Sequence, residues 1–151
     1  MGIDKSSVME AIGNMLQLQL NEVNEQLQSI AESKAQETKS SAGDKFETAR
    51  ALMQREEEKL HGQYLRIRQH LDQLKVFTQQ SKPSDRVQVG RLVICDQASF
   101  FIGLPVGKIA VGPDFVFAVS TDAPLGKLLI GKRSGDLVQL GNNSYSILSI
   151  I

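Results

Sequence analysis

Asp44 and Glu47 are the side chains in this sequence best suited by type and spacing to do chemistry. They lie three residues apart in the polar stretch Lys39-Ser-Ser-Ala-Gly-Asp-Lys-Phe-Glu-Thr48. At that spacing two carboxylates share one face of a first helical turn. Oxygen ligands of this kind suit a hard cation such as Mg2+, which binds few protein oxygens and keeps several waters. The pair also has a purely structural reading. Asp at a helix N-cap with Glu three residues on is close to a capping box, stabilising by about 0.5–2 kcal/mol with no function attached. Spacing alone favours the cap.

The other reactive side chains form no constellation. His61 and His70 are nine apart with no carboxylate at metal-ligand spacing, and read as surface histidines. Cys95 is the single cysteine, inside the apolar run Leu92-Val-Ile-Cys95, and reads as a small buried hydrophobe. Ser144, Ser146 and Ser149 lie in a strand pattern with no His/Asp set nearby, so nucleophilic catalysis has no support. Lys34, Lys39, Lys45, Arg50 and Arg55 surround the polar stretch. Singly each is a solvated helix end; together they could contact a phosphate or an acidic wall. Glu56, Glu57 and Glu58 read as solvating their helix.

Composition excludes several classes of function. Across 151 residues the net charge is zero, so nonspecific nucleic-acid binding lacks its surplus of Lys and Arg, and no free DNA binding is expected. Aromatics make up 5% and Trp is absent, which argues against base-stacking platforms. No stretch approaches the ~18 apolar residues of a membrane span, and the N-terminus lacks a secretory pattern. Met1-Gly-Ile-Asp-Lys-Ser6 fits the loose myristoylation pattern, but Ser6 and Ser7 have a better use as helix caps. A cytoplasmic chain is expected.

The elements that must position Asp44 and Glu47 are two long helices. Ser7-Val-Met-Glu10 has the form of a capping box. Met9, Leu16, Val23 and Ile30 then recur every seven residues, with Gly13, Leu20, Leu27 and Lys34 as the companion row. Past the polar stretch the heptads resume in Met53, Leu60, Ile67 and Leu74, accompanied by Tyr64 and Leu71. The second helix should run from Asp44 to about Gln80, stopping before Pro83. Arms of roughly 30 residues are about 45 Å long. The short polar connection makes them double back as an antiparallel coiled-coil hairpin with Asp44 and Glu47 near its tip. Gly62 falls mid-helix at a cost of about 1 kcal/mol, permitting a bend or a close approach.

From Ser84 the pattern changes to short apolar runs between turn signals. Arg86–Asp96, Ser99–Leu104, Gly107–Val111, Phe115–Ser120, Leu137–Leu140 and Tyr145–Ile151 read as strands. Val111-Gly-Pro-Asp114 and Gly141-Asn-Asn-Ser144 read as hairpin turns. Pro124–Ile130 reads as a short helix, with Pro124 in its first turn and Gly131 as its stop. The fold class is therefore α+β: a helical hairpin over 1–82, then a small, mostly antiparallel β domain with one short helix over 83–151.

This organisation resembles the bacterial Gre-type transcript cleavage factors, and two motifs sharpen the resemblance. Gly43-Asp-Lys-Phe-Glu-Thr-Ala49 is similar to the family's Gly-Asp-x-x-Glu-Asn-Ala. Ala123-Pro-Leu-Gly-Lys-Leu-Leu-Ile-Gly-Lys-Arg-Ser-Gly-Asp136 is similar to Ser-Pro-Leu-Gly-Arg-Ala-Leu-Leu-Gly-Lys-Lys-x-Gly-Asp, and this second match is the more specific. The resemblance implies an FKBP-like β domain that docks at the rim of the RNA polymerase secondary channel while the hairpin enters it. It implies that Asp44 and Glu47 help hold a Mg2+ for the polymerase's own cleavage of backtracked RNA, with no cofactor held by the chain alone. It also places Asp122 and Pro124 in a polymerase-contacting segment.

Thr48 stands where the family has Asn, Ala51 where it has Tyr, and Ala123 where it has Ser, while Phe46 sets a ring between the carboxylates. The family includes members that enter the channel without promoting cleavage, so a channel-binding regulator or inhibitor is one alternative. A coiled-coil adaptor is another. Prolyl isomerase activity finds no pocket-like arrangement among Phe100, Phe101, Phe115, Phe117 and Tyr145.

Overall fold

The computed structural model describes residues 2–40, 44–80 and 84–151, with all side chains among them except those of 37–40 and 44–46. Two long helices come first, α1 (Lys5–Ser40) and α2 (Asp44–Thr78). The cap of α1 is Asp4, whose Oδ1 accepts the Ser7 backbone N–H at 2.7 Å. The expected cap at Ser7 is thus displaced by one helical turn, because an Asp carboxylate already serves an otherwise unpaired first-turn donor. At the base, Thr78 Oγ1 lies 3.6 Å from Met9 Sδ, and Lys34 pairs with Glu57 further along. Chain positions rise on α1 as they fall on α2, so the helices form an antiparallel hairpin.

The chain separates into two compact units, Met15–Asp72 and Met1–Asn14 with Gln73–Ile151. In the first, Leu16, Leu20, Val23, Leu60 and Ile67 are buried. These are the heptad positions, which confirms the period read from the sequence. Leu27, Ile30 and Met53 are only half-buried, so the seam thins as it nears the tip. Gly62 is exposed with nothing within 4 Å of where a Cβ would stand, so no close approach explains it.

The second unit is built on a sheet of six strands: β1 (Leu92–Cys95), β2 (Ser99–Ile102), β3 (Gly107–Val111), β4 (Asp114–Val119), β5 (Leu137–Leu140) and β6 (Asn143–Ile150). A short helix, α3 (Pro124–Leu129), follows β4. The strand order is β3-β4-β2-β1-β6-β5. A hairpin joins β3 to β4 at the expected turn, closing at Val111↔Asp114. Another joins β5 to β6 by Gly141-Asn142 alone, closing at Leu140↔Asn143, so that Asn143 and Ser144 of the expected turn are paired in β6. One neighbouring pair, β2 with β4, is parallel, so the sheet is mixed though mostly antiparallel.

Both faces of the central strands are covered. Val93, Cys95, Phe100 and Ile102 pack on one face with Leu129 of α3, Val138 and Ile147. On the other face Phe101 meets Phe77 of α2, edge to face, with ring centroids 5.9 Å apart. A Cβ at Gly90 would fall 2.7 Å from Phe77 Cδ1, and one at Gly103 would fall 3.0 Å from Phe77 Cζ. Both glycines also have positive φ, +86° and +120°, where a side chain is strained. Phe77 therefore sits in a slot that only glycine leaves open.

The same slot corrects the first predicted strand. Arg86–Asp96 was expected to be continuous, but the strand begins at Leu92. Upstream, Val87 exchanges backbone bonds with Gly131 and Lys132 (2.9 and 2.8 Å), and the chain turns at Gly90. The alternating apolar pattern there buries Val87 under α3, away from any strand ladder.

Candidate functional site

Asp44 is the first residue of α2, and its side chain lies outside the described residues, as does Gly43 before it. Glu47 is described and exposed in the same first turn. Helical spacing sets Glu47, Ala51 and Arg55 in one row, with Thr48 and Leu52 beside them. Together these five line a shallow concavity on α2. A larger ring at position 51 would occupy part of that concavity, and Ala51 leaves it open.

Among the described residues no group of three His, Cys, Asp or Glu gathers to hold a metal. Glu47 is an exposed oxygen donor of the type Mg2+ takes, but one or two carboxylates do not complete its shell. An ion held there would have to draw its remaining ligands from water or a second molecule.

The second motif divides into residues that build the fold and residues left on the surface. Gly126 is buried, and a Cβ on it would stand 2.0 Å from the Ser120 carbonyl oxygen. Leu129 is fully buried in the core and Leu125 packs against that core. Gly131 and Gly135 hold positive φ of +83° and +94°. Asp136 Oδ2 accepts the Arg133 N–H at 2.8 Å and closes the intervening turn. Each of these positions has a packing or turn role that accounts for its residue type.

Asp122 and Pro124 are different, because both are exposed. Pro124 opens α3, where its missing N–H costs nothing. Ala123 at the N-cap makes no side-chain cap. In its place Ser120 Oγ accepts the Ala123 N–H at 3.1 Å and fixes the loop that carries Asp122. Leu128 is one turn on from Pro124 and partly exposed, so Pro124, Lys127 and Leu128 form the outer face of α3.

Glu57 and His70 are less exposed than their sequence context suggests. Glu57 does not simply solvate α2: its Oε1 accepts from Lys34 Nζ at 3.0 Å, with both side chains largely sheltered. Lys34 stands in the companion heptad row, and that seam position was the available signal for a cross-helix partner. His61 is exposed as expected, whereas His70 is half-buried, and burial followed by the nearby Arg66 lowers its pKa. Cys95 is buried, with its thiol pushed up to about 11 by burial and then by Asp96, which leaves it a poor nucleophile.

No protein-family model matches the chain. No curated protein matches it either. Among solved structures it is similar to the crystal structure of GreA factor homolog 1 (Gfh1) protein of Thermus thermophilus. The match covers 93% of this chain and 95% of that one, at 20% identity and a TM-score of 0.36. Among the described residues no helix is long and apolar enough to cross a membrane.

Proposed function

We propose that this chain is a Gre-like, RNA polymerase-binding transcription elongation factor that inserts its hairpin tip into the secondary channel and promotes cleavage of backtracked RNA. The reading is carried by one combination: a two-carboxylate motif opening the second arm of a helical hairpin, with the Pro-Leu-Gly segment in the following domain. That combination supports RNA polymerase as the partner and the cytoplasm as the place of action. The chain is then an accessory factor and not an enzyme by itself.

In this reading the exposed Asp122 and Pro124 contact the polymerase, and the buried half of the same segment holds them in place. Glu47, with Asp44, presents carboxylate oxygens at the tip. Those oxygens would hold a Mg2+ that the polymerase shares, and a second metal at such a centre stabilises the attacking and leaving oxygens of a phosphoryl displacement. The protein's own task is delivery: to bring two anionic ligands to a fixed point and keep them there.

A second reading, a channel-binding regulator without cleavage activity, is favoured by Thr48, where the family motif carries an amide side chain, and by Ala51, where it carries Tyr. Transcript cleavage in backtracked complexes separates the two. Polymerase binding with unchanged or reduced cleavage selects the regulator. Failure to recover polymerase subunits in a pull-down removes both readings and leaves a coiled-coil adaptor.

A further inference from the structure

We infer that the Lys34–Glu57 ion pair is a positioning element for Glu47, clamping the distal half of the hairpin where the apolar seam no longer does so. The inference rests on the cleavage reading for its functional consequence, though not for its structural one. Buried seam residues extend up to Val23 on α1 and start again at Leu60 on α2, where Leu60, Ile67 and Leu74 are buried and Tyr64 and Leu71 half-buried. Between those points and the tip, none of the described residues 24–36 and 47–59 is buried. Leu27, Ile30 and Met53 are half-buried at best. Apolar packing alone therefore specifies the arrangement of this stretch weakly.

Lys34 Nζ and Glu57 Oε1 meet at 3.0 Å within that stretch, with side chains only 25% and 29% exposed. Lys34 continues the row Gly13, Leu20, Leu27 at seven-residue spacing, so its charge points into the seam. A polar residue in a seam fixes register and partner at some cost in stability. Lys34 is suited to this because its stem covers apolar surface while its ammonium reaches across.

Geometry makes the clamp matter. Glu47 stands 13 residues before Leu60, which is about 20 Å of helix. A 10° tilt of α2 about Leu60 would move Glu47 by about 3.5 Å over that length. Misplacing a reacting group by about 1 Å can cost ~10²-fold in rate. A partly sheltered ion pair can hence influence the tip far more than its own strength suggests.

The test uses the full chain with Lys34→Gln, Glu57→Gln and the swap Lys34→Glu/Glu57→Lys. Hydrogen–deuterium exchange should speed about two- to five-fold over residues 47–56 in each single variant, the range for solvent-accessible ion pairs. It should return towards the parent in the swap and stay unchanged over 62–74 throughout. Cleavage of backtracked RNA should fall in the single variants and recover in the swap. Exchange that is unmoved in the single variants, or that the swap fails to restore, overturns the inference whatever the cleavage result. Exchange that moves and recovers, with no cleavage stimulated even by the parent, supports the clamp and overturns the cleavage reading instead.

Discussion

Replacing glycine by alanine should shift stability in opposite directions at two helical positions of this chain. At Gly62 the added methyl meets nothing within 4 Å, and the site is exposed in α2. Only helix propensity changes, so Gly62→Ala should stabilise by up to about 1 kcal/mol. At Gly126 the same propensity gain is opposed by a backbone clash. The new Cβ would stand 2.0 Å from the Ser120 carbonyl oxygen, and the two must part to at least 3.4 Å to reach ordinary contact. The movement must come either from the Ser120–Thr121 backbone or from α3, whose Leu129 is fully buried.

Overpacking costs about 1–3 kcal/mol, and a clash with backbone belongs at the upper end. Subtracting the propensity gain leaves a loss of about 2 kcal/mol for Gly126→Ala. With an m-value near 2 kcal/mol/M, the urea midpoint should fall by about 1 M at unchanged slope. Circular dichroism of both variants and the parent measures this. A Gly126→Ala protein as stable as the parent would refute the account of this glycine. It would also return Gly126 to the residues whose match to the family motif needs a functional reason.

Two further predictions concern the unit that carries the sheet, Met1–Asn14 with Gln73–Ile151. Phe77→Ala should cost about 3–5 kcal/mol, because Gly90 and Gly103 line its slot and have no side chains to fill the space; a loss under 1 kcal/mol in urea unfolding would show that the slot collapses. The Cys95 thiol is raised from 9.0 to about 11 in the folded protein, so its contribution to stability is full below pH 9 and disappears as pH rises through about 11. A Cys95→Ala variant should lack that part of the decline, and identical stability–pH curves over this window would contradict the assignment.

The helical half of the fold was legible because heptads are local and repetitive: Met9, Leu16, Val23, Leu60, Ile67 and Leu74, which the spacing selects, are all buried, while Ile30 and Met53 nearer the tip are half-buried. The short helix and both two-residue hairpins were legible from Pro124, Gly131, Gly112 and Gly141, whose backbone demands are local too. What escaped was non-local. The parallel pairing of β2 with β4 depends on which strands meet after the chain has closed, and no residue type announces it. Phe77 lies three residues past Leu74, and its slot is formed by glycines that the sequence presents only as turn signals.

For the proposed site, residue types and spacing single out the carboxylate pair, and the second motif singles out Asp122 and Pro124. Glu57 was lost in a run of three glutamates, although it alone of the three stands in the companion row, seven residues before Tyr64 and facing Lys34. The fold roles of Gly126, Gly131, Gly135 and Asp136 could not be separated from functional roles until the Ser120 carbonyl and the Arg133 turn were seen.

The central claim is that the hairpin delivers Asp44 and Glu47 to the polymerase to promote RNA cleavage. The most direct measurement is the rate of transcript cleavage in backtracked elongation complexes, with the parent chain and with Asp44→Ala/Glu47→Ala, at matched polymerase binding. The account predicts stimulation by the parent and its loss in the double variant, by at least about 100-fold if ion placement carries the effect. A parent that binds polymerase without stimulating cleavage, or a double variant that stimulates as well as the parent, would contradict it.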